Sequence, residues 1–245
     1  LELRPKRLWD LRYDIFGLGS AQVLLCGFAI TGALLLTTIF TWQAALVIGL
    51  ALALSSTALD VQILRDQGKI NTPLGQRIIS IHLMQDLAIV PLLIVTTALS
   101  RTPVSESLSM ALGAFIAGVM LADSPYRHEV EADIDPFRGL LLGLFFMAVG
   151  MMLDLSIILK EPARILLYVT ILIGVKFTVI ALLTRLFGSN WRDAALTGVH
   201  LAQGGEFAFV VLTAAESGLL LASEASSLFA AAVTVCSAVV GPIIP

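Results

Sequence analysis

The stretch "SIHLMQDLAIVPLL" (Ser80–Leu93) sets an imidazole, an amide and a carboxylate, His82, Gln85 and Asp86, into an otherwise apolar segment. Its surroundings define its solvent. Of 245 residues, 58% are hydrophobic and 13% charged, mean hydropathy is +0.93, and no Asp, Glu, Lys or Arg occurs from Ile15 to Leu59. That composition belongs to an integral membrane protein, and the length suits one polytopic domain with no separate soluble one. Runs such as "GLLLGLFFMAVGMML" (Gly139–Leu153) lack the period-two alternation of a membrane barrel, so the fold class expected is an all-α helical bundle.

Apolar runs bounded by polar or turn-forming residues give spans near 15–40, 43–64, 78–99, 108–122, 139–159, 163–187, 194–215 and 226–244, about eight in all. The basic residues sort by loop. Arg4, Lys6, Arg7 and Arg12, then Arg65, Lys69 and Arg77, then Arg127 and Arg138, then Arg185 and Arg192 fall on one side, which marks the cytoplasm and puts both termini there. A net charge of -3 offers no basic footprint for nucleic acid. Cys26 and Cys236 sit in apolar runs, where they read as small hydrophobes rather than a disulfide framework or a metal cluster. The opening "LELRPKRLWD" has no initiator Met and no signal-peptide pattern, and the chain ends inside an apolar segment, so both ends read as truncated.

Two spans are interrupted, by "LALSSTALDVQ" (Leu52–Gln62) and "HLAQGGEFAF" (His200–Phe209). Serine, threonine and glycine can simply let helices pack closely. A pair of broken helices does more, because it frees backbone amides and carbonyls to line a cavity at the midplane of a transporter.

Three charges stand at membrane depth. Asp86 lies eight residues past Ile78, roughly 12 Å into a hydrocarbon core of about 30 Å, and Lys176 and Glu206 lie well inside their own spans. Each costs roughly 2.5–3.5 kcal/mol on insertion scales, so all three must be paired, hydrated or used. A salt bridge from Lys176 to Asp86 or to Glu206 would serve packing alone. A hydrated carboxylate that holds a proton and an alkali cation in turn would serve antiport.

His82 precedes Asp86 by one helical turn, which invites an i, i+4 metal pair. A third ligand would have to come from His128 or His200, in a loop and in another helix, and no HExxH or CxxC spacing is present, so a hydrogen-bonded histidine and no metal are expected. "GLGSAQ" (Gly17–Gln22) lacks the third glycine and the preceding strand of a dinucleotide fingerprint.

The segments "LALSSTAL", "HLMQDLAIVPLL", "LGAFIAGVMLADSPYRHEVEADIDPFRGLLLGLFFMAVGMMLD" and "QGGEFAFVV" together resemble the Kef-type potassium/proton antiporters, over nearly the whole chain. The resemblance implies a homodimeric sodium/proton-antiporter-like bundle in a bacterial inner membrane, with two crossing broken helices, potassium and protons as substrates, and no catalytic residues. It makes Asp86 the shared carrier and Gln85 its neighbour, with Ser55, Ser56 and Thr57 in the first broken helix at the cation and proton site. Gln203, Gly204, Gly205 and Glu206 belong to the second, and Lys176 is the intramembrane charge partner. The loop "YRHEVEADIDPF" (Tyr126–Phe137), with His128, Glu129, Glu131, Asp133 and Asp135, resembles the family's regulatory loop. There a cytosolic nucleotide-binding domain, absent from this chain, would confer control by NAD or glutathione; no cofactor is expected within the chain.

The family's first three helices are missing before Leu1, and the short join Leu99–Met110 stands where two more are expected, so residues 1–245 read as a fragment of an exchanger domain with helices absent before 1 and between 102 and 107. A sodium/proton antiporter of the same fold is the near alternative. An intramembrane hydrolase using His82, Asp86 or Glu206 lacks an identifiable nucleophile and base, and a non-transporting membrane subunit would carry no flux.

Overall fold

The computed structural model describes residues 11–37, 40–100, 113, 117–118, 124, 126–152 and 160–244. Every regular element among them is helical. A wide π-helical stretch, Tyr13–Gly19, runs into α1 (Ser20–Thr37). Then come α2 (Trp42–Ala53), α3 (Thr57–Asp66), α4 (Pro73–Leu99), α5 (Arg127–Met152), α6 (Pro162–Leu186), α7 (Trp191–Leu201), α8 (Glu206–Ser217) and α9 (Ser223–Val240).

Local chemistry sets the helix starts. Thr72 caps α4 by accepting from the Gly75 amide at 3.2 Å, with Pro73 at the first helical position where a missing N–H costs nothing. Asn190 caps α7 by accepting from the Asp193 amide at 2.8 Å. Ser56 does the same for α3 through the Leu59 amide at 3.5 Å.

Five stretches are long and apolar enough to cross a membrane: Tyr13–Leu36, Trp42–Asp66, Pro73–Leu99, Pro162–Leu186 and Ser223–Ile243. A sixth forms if α7 and α8, bent by 45°, count as one broken span. These match six of the spans read from the sequence. The expected span 108–122 falls almost wholly outside the described residues, as does the end of 139–159. The expected regulatory loop 126–137 needs correction, because α5 begins at Arg127 and carries His128, Glu129, Glu131, Asp133 and Asp135 on its first turns. A charged run need not be a loop, since Glu129 stands in the first turn, where an acid favours the helix start.

α1 packs on α2 and α6, α6 on α7 and α9, and α8 on α2, α4 and α9. The largest core joins Val47, Ile48 and Ala51 of α2 to Val211 and Leu212 of α8 and to Phe229 and Val233 of α9. Outward-facing Leu24, Leu25 and Phe28 of α1 and Leu166, Leu167 and Leu182 of α6 stay exposed, as a lipid-facing surface requires. At one end of the bundle, Arg77 of α4 meets Asp14 at 3.4 Å and also donates to the Ser189 hydroxyl, with Arg185 on the Ser189 carbonyl. Three segments read as cytoplasmic from their basic residues thus end together.

Candidate functional site

Both interrupted spans break where the sequence places small polar residues. After Ala53 the chain turns extended at Leu54 and Ser56, and after Leu201 it resumes a helix only past Gly205. The breaks touch. Ser55 donates its hydroxyl to the Leu201 carbonyl at 2.8 Å, and a Cβ on Gly205 would lie 2.6 Å from the Ser55 carbonyl oxygen. Only glycine lets the two backbones approach so closely.

The helix ends around this crossing have opposite character. α2 and α7 point C-terminal carbonyls at it, while α3 and α8 point N-terminal amides, the negative and positive ends of their dipoles. The fully buried Lys176 of α6 serves the first pair, donating to the carbonyls of Leu54 at 2.9 Å and Gln203 at 2.6 Å and to the Ser55 hydroxyl at 3.0 Å. The carboxylate partner expected for Lys176 is therefore replaced by backbone oxygen. The freed carbonyls and the Ser55 hydroxyl take up the three N–H donors of the ammonium, and the carbonyls are satisfied in return.

Asp86 and Glu206 lie at the positive ends. α3 presents Thr57 and Asp60, three residues apart and on one face, to His82 and Asp86, four apart on one face of α4. The four side chains interleave. Thr57 Oγ1 lies 3.1 Å from Asp86 Oδ1 and 3.3 Å from His82 Nδ1, and Asp60 Oδ2 lies 2.7 Å from His82 Nε2. The other Asp60 oxygen is 2.9 Å from His200 Nδ1 of α7. Asp60, His82 and His200 are buried, whereas Asp86 and Thr57 are only partly so. His82 is thus the hydrogen-bonded histidine expected of it.

Gln85, next in sequence to Asp86, faces elsewhere. Its Oε1 accepts from the Ser55 amide at 2.8 Å, and its amide donates to Gln22 Oε1 at 2.8 Å; Gln22 in turn donates to the Ala53 carbonyl at 3.0 Å. Gln85 and Ser55 therefore hold the first break in shape, and Ser56 caps α3. At the second break, Gly204 and Gly205 supply close approach, Ser237 of α9 donates to the Gly204 carbonyl at 3.1 Å, and the Gln203 amide and Glu206 Oε2 are buried without a hydrogen-bond partner among the described residues. Glu206 acts electrostatically on Asp86.

The transmembrane sodium/hydrogen exchanger family matches residues 1–108 and 104–244. The chain belongs to that family. This exchanger is therefore a multi-pass membrane protein, and the activity that goes with its family is exchange of a monovalent cation for protons.

Sequence reading missed Asp60, His200 and Gln22 as site residues. Asp60 stood within a quoted interruption, and its spacing of three from Thr57 was the available signal. His200 opens the second interruption but reads only as a candidate metal ligand, and Gln22 gives no signal, because their partners are remote in the chain.

Proposed function

We propose that this exchanger moves potassium against protons, with Asp86 as the single carrier that holds one or the other. The observation that carries the reading is the partly buried Asp86 carboxylate at the positive end of α3, bonded by Thr57, beside a crossing whose buried ammonium, Lys176, is already engaged. Lys176 is committed to carbonyls, so it is not free to neutralise Asp86. The Gln-Asp pair at 85–86, which resembles that of Kef-type antiporters, supports potassium through the sequence likeness, while Gln85 itself turns to Ser55 and Gln22 and leaves Asp86 as the one charge offered to a weakly hydrated ion.

The test is flux in proteoliposomes holding the reconstituted chain. A potassium gradient should drive proton movement, Asp86→Asn should abolish it while the protein stays folded, and adding potassium should release protons from the wild type only. Wild-type flux in Asp86→Asn would remove Asp86 from the role.

Sodium is the second reading, and Glu206 favours it. A second carboxylate acting on Asp86, with an oxygen not otherwise engaged, suits a smaller and more strongly hydrated cation. Sodium or lithium gradients outcompeting potassium in the same vesicles would decide for it.

Regulation follows as part of the proposal. Glu129 and Asp133, exposed and one turn apart on α5, form an acidic face suited to a cytosolic nucleotide-binding domain in a homodimeric assembly controlled by NAD or glutathione. Neutralising them should alter flux only when that domain is present.

A further inference from the structure

We propose that His82 is the proton donor and acceptor for Asp86, with the Thr57 hydroxyl passing the proton between them and Asp60 positioning the imidazole. The inference rests on Asp86 being the carrier and concerns the cation-free part of the cycle, when the proton is carried.

A hydroxyl has one hydrogen and lies here between two acceptor-capable groups, Asp86 Oδ1 at 3.1 Å and His82 Nδ1 at 3.3 Å. The Asp60 carboxylate, accepting at 2.7 Å, keeps a hydrogen on His82 Nε2, so the state of Nδ1 is the only variable on that ring. Two arrangements satisfy every partner. In the first, Asp86 is ionised, Thr57 donates to it, and a doubly protonated His82 donates from Nδ1 to the Thr57 oxygen. In the second, Asp86 carries the proton and donates to Thr57, whose hydrogen now points to a neutral His82.

The arrangements interconvert in one concerted step. The His82 Nδ1–H bond breaks as an O–H bond forms on Thr57, and the former Thr57 O–H bond breaks as its hydrogen goes to Asp86. The proton count is unchanged. The two groups share one proton through Thr57, so the proton displaced by a cation is held by His82 and Asp86 together.

The surroundings are built for this. Asp60 and His82 are fully buried and His200 nearly so; His200 at 2.9 Å fixes the second Asp60 oxygen, and the carboxylate is held facing the ring. Among the described residues, Glu206 of α8 acts on Asp86, Lys176 of α6 is committed to the break carbonyls, and Asp14 pairs with Arg77 toward the start of α4.

The experiment compares Thr57→Val, Thr57→Ser, His82→Gln and Asp86→Asn in proteoliposomes across pH, using potassium or sodium, whichever the wild type exchanges. Thr57→Val and His82→Gln should each shift the midpoint of exchange by about one pH unit, a tenfold change in proton affinity, while Thr57→Ser keeps the wild-type profile. A wild-type profile in both Thr57→Val and His82→Gln overturns the relay. Should those two fail to fold, infrared difference spectra of wild type carrying labelled histidine decide. Cation binding should remove the carboxylic acid band, assigned with Asp86→Asn, and shift the imidazole bands in the same saturating step. Histidine bands that do not move overturn the relay. Asp86→Asn that still exchanges marks failure of the carrier reading instead.

Discussion

The ammonium of Lys176 reaches the Gln203 carbonyl at 2.6 Å and the Leu54 carbonyl at 2.9 Å, so one side chain from α6 joins the breaks of two spans that are far apart in sequence. Its charge serves the backbone at the negative ends of α2 and α7, which leaves the Asp86 carboxylate without an ammonium partner, as the carrier role proposed for it requires.

Replacing Lys176 tests this division. Lys176→Met keeps the length but takes the ammonium donor from the Leu54 and Gln203 carbonyls, and it should destabilise the bundle by about 2 kcal/mol or more. The melting temperature in detergent should fall and exchange should be lost; an unchanged melting curve would show that the carbonyls have other partners.

Gly205→Ala should separate the crossing. Its methyl would lie 2.6 Å from the Ser55 carbonyl oxygen, a backbone atom that cannot swing away, so exchange should disappear. Gly174→Ala in α6 is the control, because its added methyl meets nothing within 4 Å; it should be neutral or stabilising by up to roughly 1 kcal/mol. Equal thermal stability and flux for the two variants would refute close contact of the breaks.

Asp60→Asn keeps the shape of the side chain but can accept on one atom only, leaving either His82 or His200 facing a donor. The loss should be about 1–3 kcal/mol, read by denaturation in detergent, and the variant should transport poorly even where it folds. Full stability would mean that the histidines need only one acceptor between them.

Asp14→Asn provides the contrast. The Asp14–Arg77 pair is about one-fifth exposed, and Arg77 retains the Ser189 hydroxyl after the substitution. A change of less than about 1 kcal/mol is expected, with flux unaltered at moderate salt. A large loss of stability would make this contact a principal fastening of the bundle.

The all-helical membrane class, the two interruptions and the cost of holding Asp86 at depth follow from the sequence alone, because hydrocarbon admits few backbone solutions and makes any charge there expensive. Composition and spacing therefore sufficed to find Ser55, Thr57, Lys176 and Glu206 as residues that needed an explanation. What each one touches was decided by tertiary structure. Lys176 could have met a carboxylate, and it meets carbonyls because the crossing of α2–α3 with α7–α8 brings two sets of unpaired backbone oxygens to the middle of α6. Gln85 could have flanked the ion with Asp86, but adjacent residues on a helix face different ways, and its amide turns to Gln22 and Ser55. Asp60 and His200, 140 residues apart, share a 2.9 Å hydrogen bond that no local pattern encodes, since it exists only once the two broken helices have crossed.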